Sequence, residues 1–184
     1  MMGLDITAYE KVELRAQDLD DEAAYALVHE LDEQGVRDVT IWYSRDFIER
    51  AAPLVVPSTK RLANVYVSTG AVRVFGAGSY SGYNRFREWL CDMAGIATPR
   101  AQWADPEHYD LLPFHELVNF SDCEGVIGST ACAELAKDFA DYQGKADVYD
   151  GPGSEFDRDW FRRKYADWRK AFELAEHGGC VEFH

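Results

Sequence analysis

An α+β domain, with a small, mostly antiparallel sheet packed with about four helices, is the fold that this sequence predicts. Three observations point to it. Short alternating runs rich in Val, Ile, Thr and Tyr lie among longer stretches with helical spacing of apolar residues. The two kinds of stretch lack the regular strand–helix–strand order of a doubly wound sheet. With 184 residues, 47% hydrophobic and 14% aromatic, the chain can fill one core and would be cramped as two, so residues 1–184 are read as a single domain.

The elements follow in order. Gly3–Leu14 alternates and is rich in Ile, Thr, Tyr and Val, which predicts a first strand. Asp18–Gln34 opens with acids, spaces Ala24, Leu27, Val28 and Leu31 as a helix does, and stops at Gly35. Val36–Tyr43 predicts a second strand, and Arg45–Pro57 is ambiguous, a helical turn broken by Pro53 and Pro57 being one reading. Asn64–Ser68 and Ala71–Phe75 predict two strands joined in a hairpin at Thr69-Gly70. A glycine- and serine-rich loop, Gly76–Gly82, then leads into a helix over Tyr83–Ala94 that stops at Gly95. Its stripe of Tyr83, Phe86, Leu90 and Met93 leaves Arg85 and Arg87 off the buried face.

Residues 96–115 have no clear period and predict a long surface connection, and Asn119–Gly125 predicts a turn. Ser129–Gln143 predicts a helix with Cys132, Leu135, Phe139 and Tyr142 inward. Ser154, with Asp157 three residues on, is a variant capping box. It opens a last helix whose stripe is Phe161, Tyr165, Trp168, Phe172 and Ala175, ending by Gly178; Cys180–Phe183 predicts a final strand.

Charge narrows the function classes. The net charge is −14, which argues against direct binding to nucleic acid or to an anionic membrane. No stretch approaches the roughly 18 apolar residues of a membrane span, and Met1–Asp5 lacks the basic and apolar regions of a secretory leader. A cytoplasmic protein is therefore expected. The four cysteines, Cys91, Cys123, Cys132 and Cys180, show no metal-binding or redox spacing and are expected as buried free thiols. No cofactor motif, metal-ligand pattern or catalytic spacing stands out, so a binding protein is favoured over an enzyme. The charge is also uneven. Seven acids and no Lys or Arg lie between Asp18 and Glu33, whereas residues 51–104 hold six basic residues against Glu88 and Asp92. A positive segment in an acidic chain is a candidate anion site, although arginines paired with neighbouring acidic helices would give the same pattern.

The candidate ligand-binding residues centre on that segment. A glycine loop between strand and helix exposes backbone N–H groups at the positive end of a helix, where phosphate or carboxylate is favoured. Gly76 and Gly78 supply the loop, Ser79, Ser81, Asn84, Arg85 and Arg87 can donate to an anion, and Tyr80 and Tyr83 can stack on a base. The pattern is neither a dinucleotide fingerprint nor a P-loop, and a tight turn with serine caps is the more ordinary account of it. A second candidate is Ser121–Gly125, where Asp122 and Glu124 flank Cys123. The carboxylates would raise the thiol pKa and suppress a nucleophile, so a polar turn, or pairing of Asp122 and Glu124 with Arg85 or Arg87, is the better reading. The basic residues around Trp160 and Trp168 on the last helix are read as a solvated face, and the five histidines are assigned nothing.

Met2–Tyr9, the run Ala77–Asn84 with Arg85-Phe86-Arg87, and Phe120–Gly125 followed by Leu135–Phe139 together resemble a family of small proteins encoded by tailed phages and prophages. The resemblance covers about half of the chain and leaves out Ala16–Arg61. The family brings no assigned activity. What it implies is context: an accessory protein acting in the host cytoplasm, against a defence system. Together these readings give an expected non-enzymatic counter-defence factor that binds a small anionic, nucleotide-type signal. The alternatives are an acidic DNA mimic that binds a host defence protein such as a nuclease, and a nucleotide hydrolase using Asp122 and Glu124. A homo-oligomer is compatible with all three.

Overall fold

The computed structural model describes residues 4–36, 39–43, 47–48, 62–105, 108–120 and 125–184, with the backbone path alone at 40–43 and 47–48. The chain begins with β1 (Leu4–Tyr9) and β2 (Val12–Leu19), then α1 (Asp21–Glu33), β3 (Val39–Tyr43) and β4 (Phe47–Ile48). After β5 (Ala63–Ser68) and β6 (Val72–Gly78) come α2 (Tyr80–Ala94), α3 (Pro99–Ala104) and α4 (His115–Asn119). β7 (Gly125–Gly128), α5 (Ser129–Asp141), α6 (Gln143–Val148), α7 (Glu155–Ala175) and β8 (Cys180–Phe183) complete it. The expected α+β class is what the structure has. The four expected helices are α1, α2, α5 and α7; the short α3, α4 and α6 lie where the periodicity is too brief to register.

Among the described residues, five strands form one sheet in the order β4-β7-β8-β1-β6 and three form another in the order β2-β5-β3. Every pair is antiparallel except β4 with β7. The hairpin expected at Thr69-Gly70 does not exist: β5 and β6 lie in different sheets. The single strand expected over Gly3–Leu14 is likewise two. β1–β2 and β5–β6 are two bent ribbons that run antiparallel, side by side, out of one sheet and into the other. At the crossing Glu10 N–H donates to Ala71 O at 2.9 Å and Thr69 N–H to Lys11 O at 3.1 Å. The Glu10 carboxylate accepts the Ala71 N–H at 2.7 Å and lies against Gly70, where a Cβ would stand 2.8 Å from Oε2. Gly70 therefore marks a close approach of side chain to backbone. A turn and such a bend leave the same local signature of glycine between alternating runs.

The main core lies between the inner face of the larger sheet and α2, α5 and α7. Leu4, Ile6, Ala8, Ile127, Val181 and Phe183 face Tyr83, Phe86, Leu90, Leu135, Phe139, Phe161, Tyr165, Trp168 and Phe172, all buried. Each large side chain removed from water contributes about 1.5–3 kcal/mol. Trp168 is the hub, its ring centroid 5.0 Å from Phe75, 5.5 Å from Phe183 and 5.7 Å from Phe172. A smaller core of Ala24, Ala63 and Val65, with Leu27, Val28 and Leu31 against it, seats α1 on the three-stranded sheet. α1 starts at Asp20, whose carboxylate accepts the Ala23 N–H at 2.9 Å. α7 carries the full capping box between Ser154 and Asp157.

Candidate functional site

The glycine-rich stretch is not a loop. Gly76 and Gly78 belong to β6, Tyr80–Gly82 belong to α2, and Ser79 alone joins them. Gly78 makes so short a connection possible, since its φ of 105° lies where a side chain is strained. Ser79 then caps the helix: its Oγ accepts the Gly82 N–H at 3.1 Å and shares a hydrogen bond with Ser81 Oγ at 3.0 Å. Its carbonyl takes the Tyr83 N–H at 2.8 Å. The N–H groups of Tyr80 and Ser81 stand at the positive end of the 15-residue α2, whose first turn has no acid. Both residues are exposed. From α7, Lys164 donates to Gly76 O beside the junction.

The other expected ligand residues are turned inward or sideways. Tyr83 is fully buried, its hydroxyl donating to Leu117 O at 3.0 Å and its ring 5.7 Å from that of Trp168. Arg87 is 3% exposed. It donates to Phe120 O at 2.8 Å, to Val118 O at 3.2 Å and to Asn84 Oδ1. The guanidinium lies 4.3 Å from the Tyr83 ring centre and 4.9 Å from that of Trp103. Arg87 is thus the cap on the carboxyl end of α4, and Asn84 helps to hold it. Arg85 is half-exposed, 3.5 Å from Asp157 and stacked 4.5 Å from Trp160, so it ties α2 to α7. Asp122 and Glu124, with Ser121 and Cys123, lie outside the described residues.

The structure therefore brings together Gly76, Gly78, Ser79, Tyr80 and Ser81, with Arg85 one turn along, and separates them from Tyr83, Asn84 and Arg87. Two outward N–H groups, two hydroxyls and a helix end can hold one anionic oxygen group. They form no nucleophile–base pair, because among the described residues no imidazole or carboxylate bonds either serine hydroxyl. Nor, among the described residues, do three His, Cys, Asp or Glu side chains meet as a metal site.

Sequence reasoning missed two features. One is Lys164, which looked like one cation of a solvated face. The other is a polar cluster on the outer face of the larger sheet, where Tyr9 donates to Glu182 at 3.0 Å and Thr7 Oγ1 meets His184 Nε2 at 3.0 Å. Glu182 stands between inward Val181 and Phe183, as alternation in β8 requires, but no local pattern says that β1 is its neighbour. No helix among the described residues is long and apolar enough to cross a membrane. No family model, curated protein or solved structure matches the chain.

Proposed function

We propose that the protein is a non-enzymatic binding protein that takes a small anionic ligand at the β6–α2 junction. One observation carries the reading: Ser79 alone links strand to helix, so the Tyr80 and Ser81 N–H groups and two serine hydroxyls converge at an exposed positive helix end. A phosphate or carboxylate fits that set, Tyr80 offers an exposed ring for a base, and Lys164 supplies nearby positive charge, with Arg85 one turn along but shared with Asp157. A nucleotide-type signal is the ligand class that combines these features. The resemblance to phage-encoded proteins adds the setting, a counter-defence factor in the host cytoplasm.

The test is thermal unfolding of the purified protein with cyclic dinucleotides, ADP-ribose derivatives and ordinary nucleotides. A ligand at a hundred times its dissociation constant adds about 2.7 kcal/mol and visibly raises the midpoint. Ser81→Asp places a carboxylate where the anion would sit, at a helix position that favours acids. It is expected to abolish the ligand shift and leave the fold intact. A flat panel for the wild type, or a shift that survives Ser81→Asp, overturns the proposal.

A second reading is favoured by α1. All seven acids from Asp18 to Glu33 occupy exposed positions, and Ala24 is the only residue that the helix buries. An acidic inhibitor that mimics nucleic acid on a basic protein groove would use such a surface. Its signature is target binding that weakens steeply with salt, competes with DNA and disappears when Asp21, Glu22, Glu30 and Glu33 become lysine.

A further inference from the structure

β6 ends the five-stranded sheet, and β1 is its only strand neighbour among the described residues. Successive residues of an antiparallel strand turn their N–H and C=O groups alternately toward and away from the neighbour. Ala71 O accepts from Glu10 N–H on the β1 side. Val72, Val74 and Gly76 therefore direct theirs to the open edge. The same residues are exposed on the outer face, Val72 by 40% and Val74 by 66%. Edge strands are ordinarily guarded by charged side chains, prolines or bulges, and the irregularity of β6 lies beyond the Val72–Gly76 stretch, between the Asp5–Gly76 and Leu4–Gly78 pairs. Arg73, the one charged residue of β6, is turned the other way and bound to Asp167 at 2.8 Å. Lys164 covers the Gly76 carbonyl alone, and a carbonyl accepts a second bond.

We propose that this edge pairs with the same edge of a second copy, antiparallel about a two-fold axis at Val74, so that two five-stranded sheets become one. The register is self-complementary, as a two-fold contact requires. Val74 meets the partner's Val74, and Val72 meets the partner's Gly76, whose bare backbone leaves room for the isopropyl group. The charge pattern permits it although each chain carries −14. Asp167 neutralises Arg73, and the Asp5 carboxylate, 3.8 Å from where a Gly76 Cβ would stand, faces the partner's Val72 and no second acid. One edge ladder with two valines covers less than the about 800 Å² per partner of a standard interface. The dimer is therefore expected to be a dissociable, concentration-dependent one.

Sedimentation velocity from about 10 to about 500 μM, with amide exchange at Val72 and Val74, tests this. The sedimentation coefficient is expected to rise with concentration while exchange at both amides slows. Val74→Lys is expected to remain monomeric with an unchanged unfolding midpoint, since that side chain faces solvent. A wild type that stays monomeric throughout overturns the proposal. So does a dimer that persists in Val74→Lys with both amides still exchanging freely.

Discussion

At the scale of single residues, Arg87 carries a charge into the interior where, among the described residues, no carboxylate meets it. Its partners are two carbonyls that end α4, the Asn84 amide and two aromatic faces, and the negative end of a helix suits a cation. Arg87→Ala takes the Arg87 bond from Phe120 O and leaves Val118 O only the one from Trp103 Nε1 at 2.9 Å, and a loss of about 2–4 kcal/mol is expected in denaturant unfolding. Arg87→Lys should recover only part, because an ammonium lacks the second nitrogen that reaches Asn84 and the planar face that lies by Tyr83 and Trp103. A loss below about 0.5 kcal/mol would show that Arg87 does not pin α4. The stripe of α2 was legible in the sequence, for Tyr83, Phe86, Leu90 and Met93 are all buried. What buries Arg87 is α4, which arrives from a distant stretch with no period of its own, so the residue read as solvent-facing. Burial also pushes the Cys91 thiol up to about 12, against the lowering effect of Arg87, and raises Cys180 as well. Above pH 9 the unfolded chain releases these protons and the folded chain keeps them, so stability falls as pH rises. Urea unfolding between pH 8 and about 10.5 should show that fall, and Cys91→Ala should make it shallower.

At the scale of elements, the capping box of α7 was written in the sequence because its partners are three residues apart. Hydrogen bonds from Ser154 hold the Asp157 carboxylate below its usual range, with Arg85 a smaller contributor. That contribution is present above the ordinary carboxylate pKa and is lost as pH falls through the lowered one. Ser154→Ala should cost about 1 kcal/mol near neutral pH and move the Asp157 titration, followed by NMR, back toward normal. The link from α7 to β8 is less forgiving. A Cβ on Gly179 would lie 1.9 Å from Tyr9 O, 2.7 Å from Glu10 O and 2.9 Å from Ala175 Cα, all backbone atoms. Gly179→Ala is expected to cost at least about 3 kcal/mol in denaturant unfolding. Gly144→Ala, inside α6 with open space around a Cβ, should be neutral or stabilise by up to about 1 kcal/mol. Nothing local distinguishes the glycines that the fold requires from those that it tolerates. The Thr69-Gly70 bend was misread as a hairpin for that reason, and Gly76–Gly82 as a loop.

For the whole molecule, the class was legible and the strand order was not. Period-2 and period-3.6 stretches name the elements, but β1 takes β6 and β8 as neighbours by contacts that span most of the chain. The candidate site was legible only as far as a strand, a serine and a helix in sequence; Lys164 enters it from α7. Because the β1–β2 and β5–β6 ribbons pass through both sheets, the two should melt together. Tryptophan fluorescence, reporting the Trp168 core, and far-ultraviolet circular dichroism are expected to give coincident transitions. Separated transitions would mean that α1 and the three-stranded sheet come apart first. The same topology has a consequence for synthesis. Tyr9 on β1 reaches Glu182 on β8, 173 residues further along. At about 5–20 residues per second, a ribosome takes roughly ten to thirty-five seconds to deliver that partner. Throughout that interval the nascent chain displays one side of β1 as a bare template beside other chains growing on the same message. Yield in a cell is then expected to depend on translation speed and chaperone cover as well as on the stability of the finished protein.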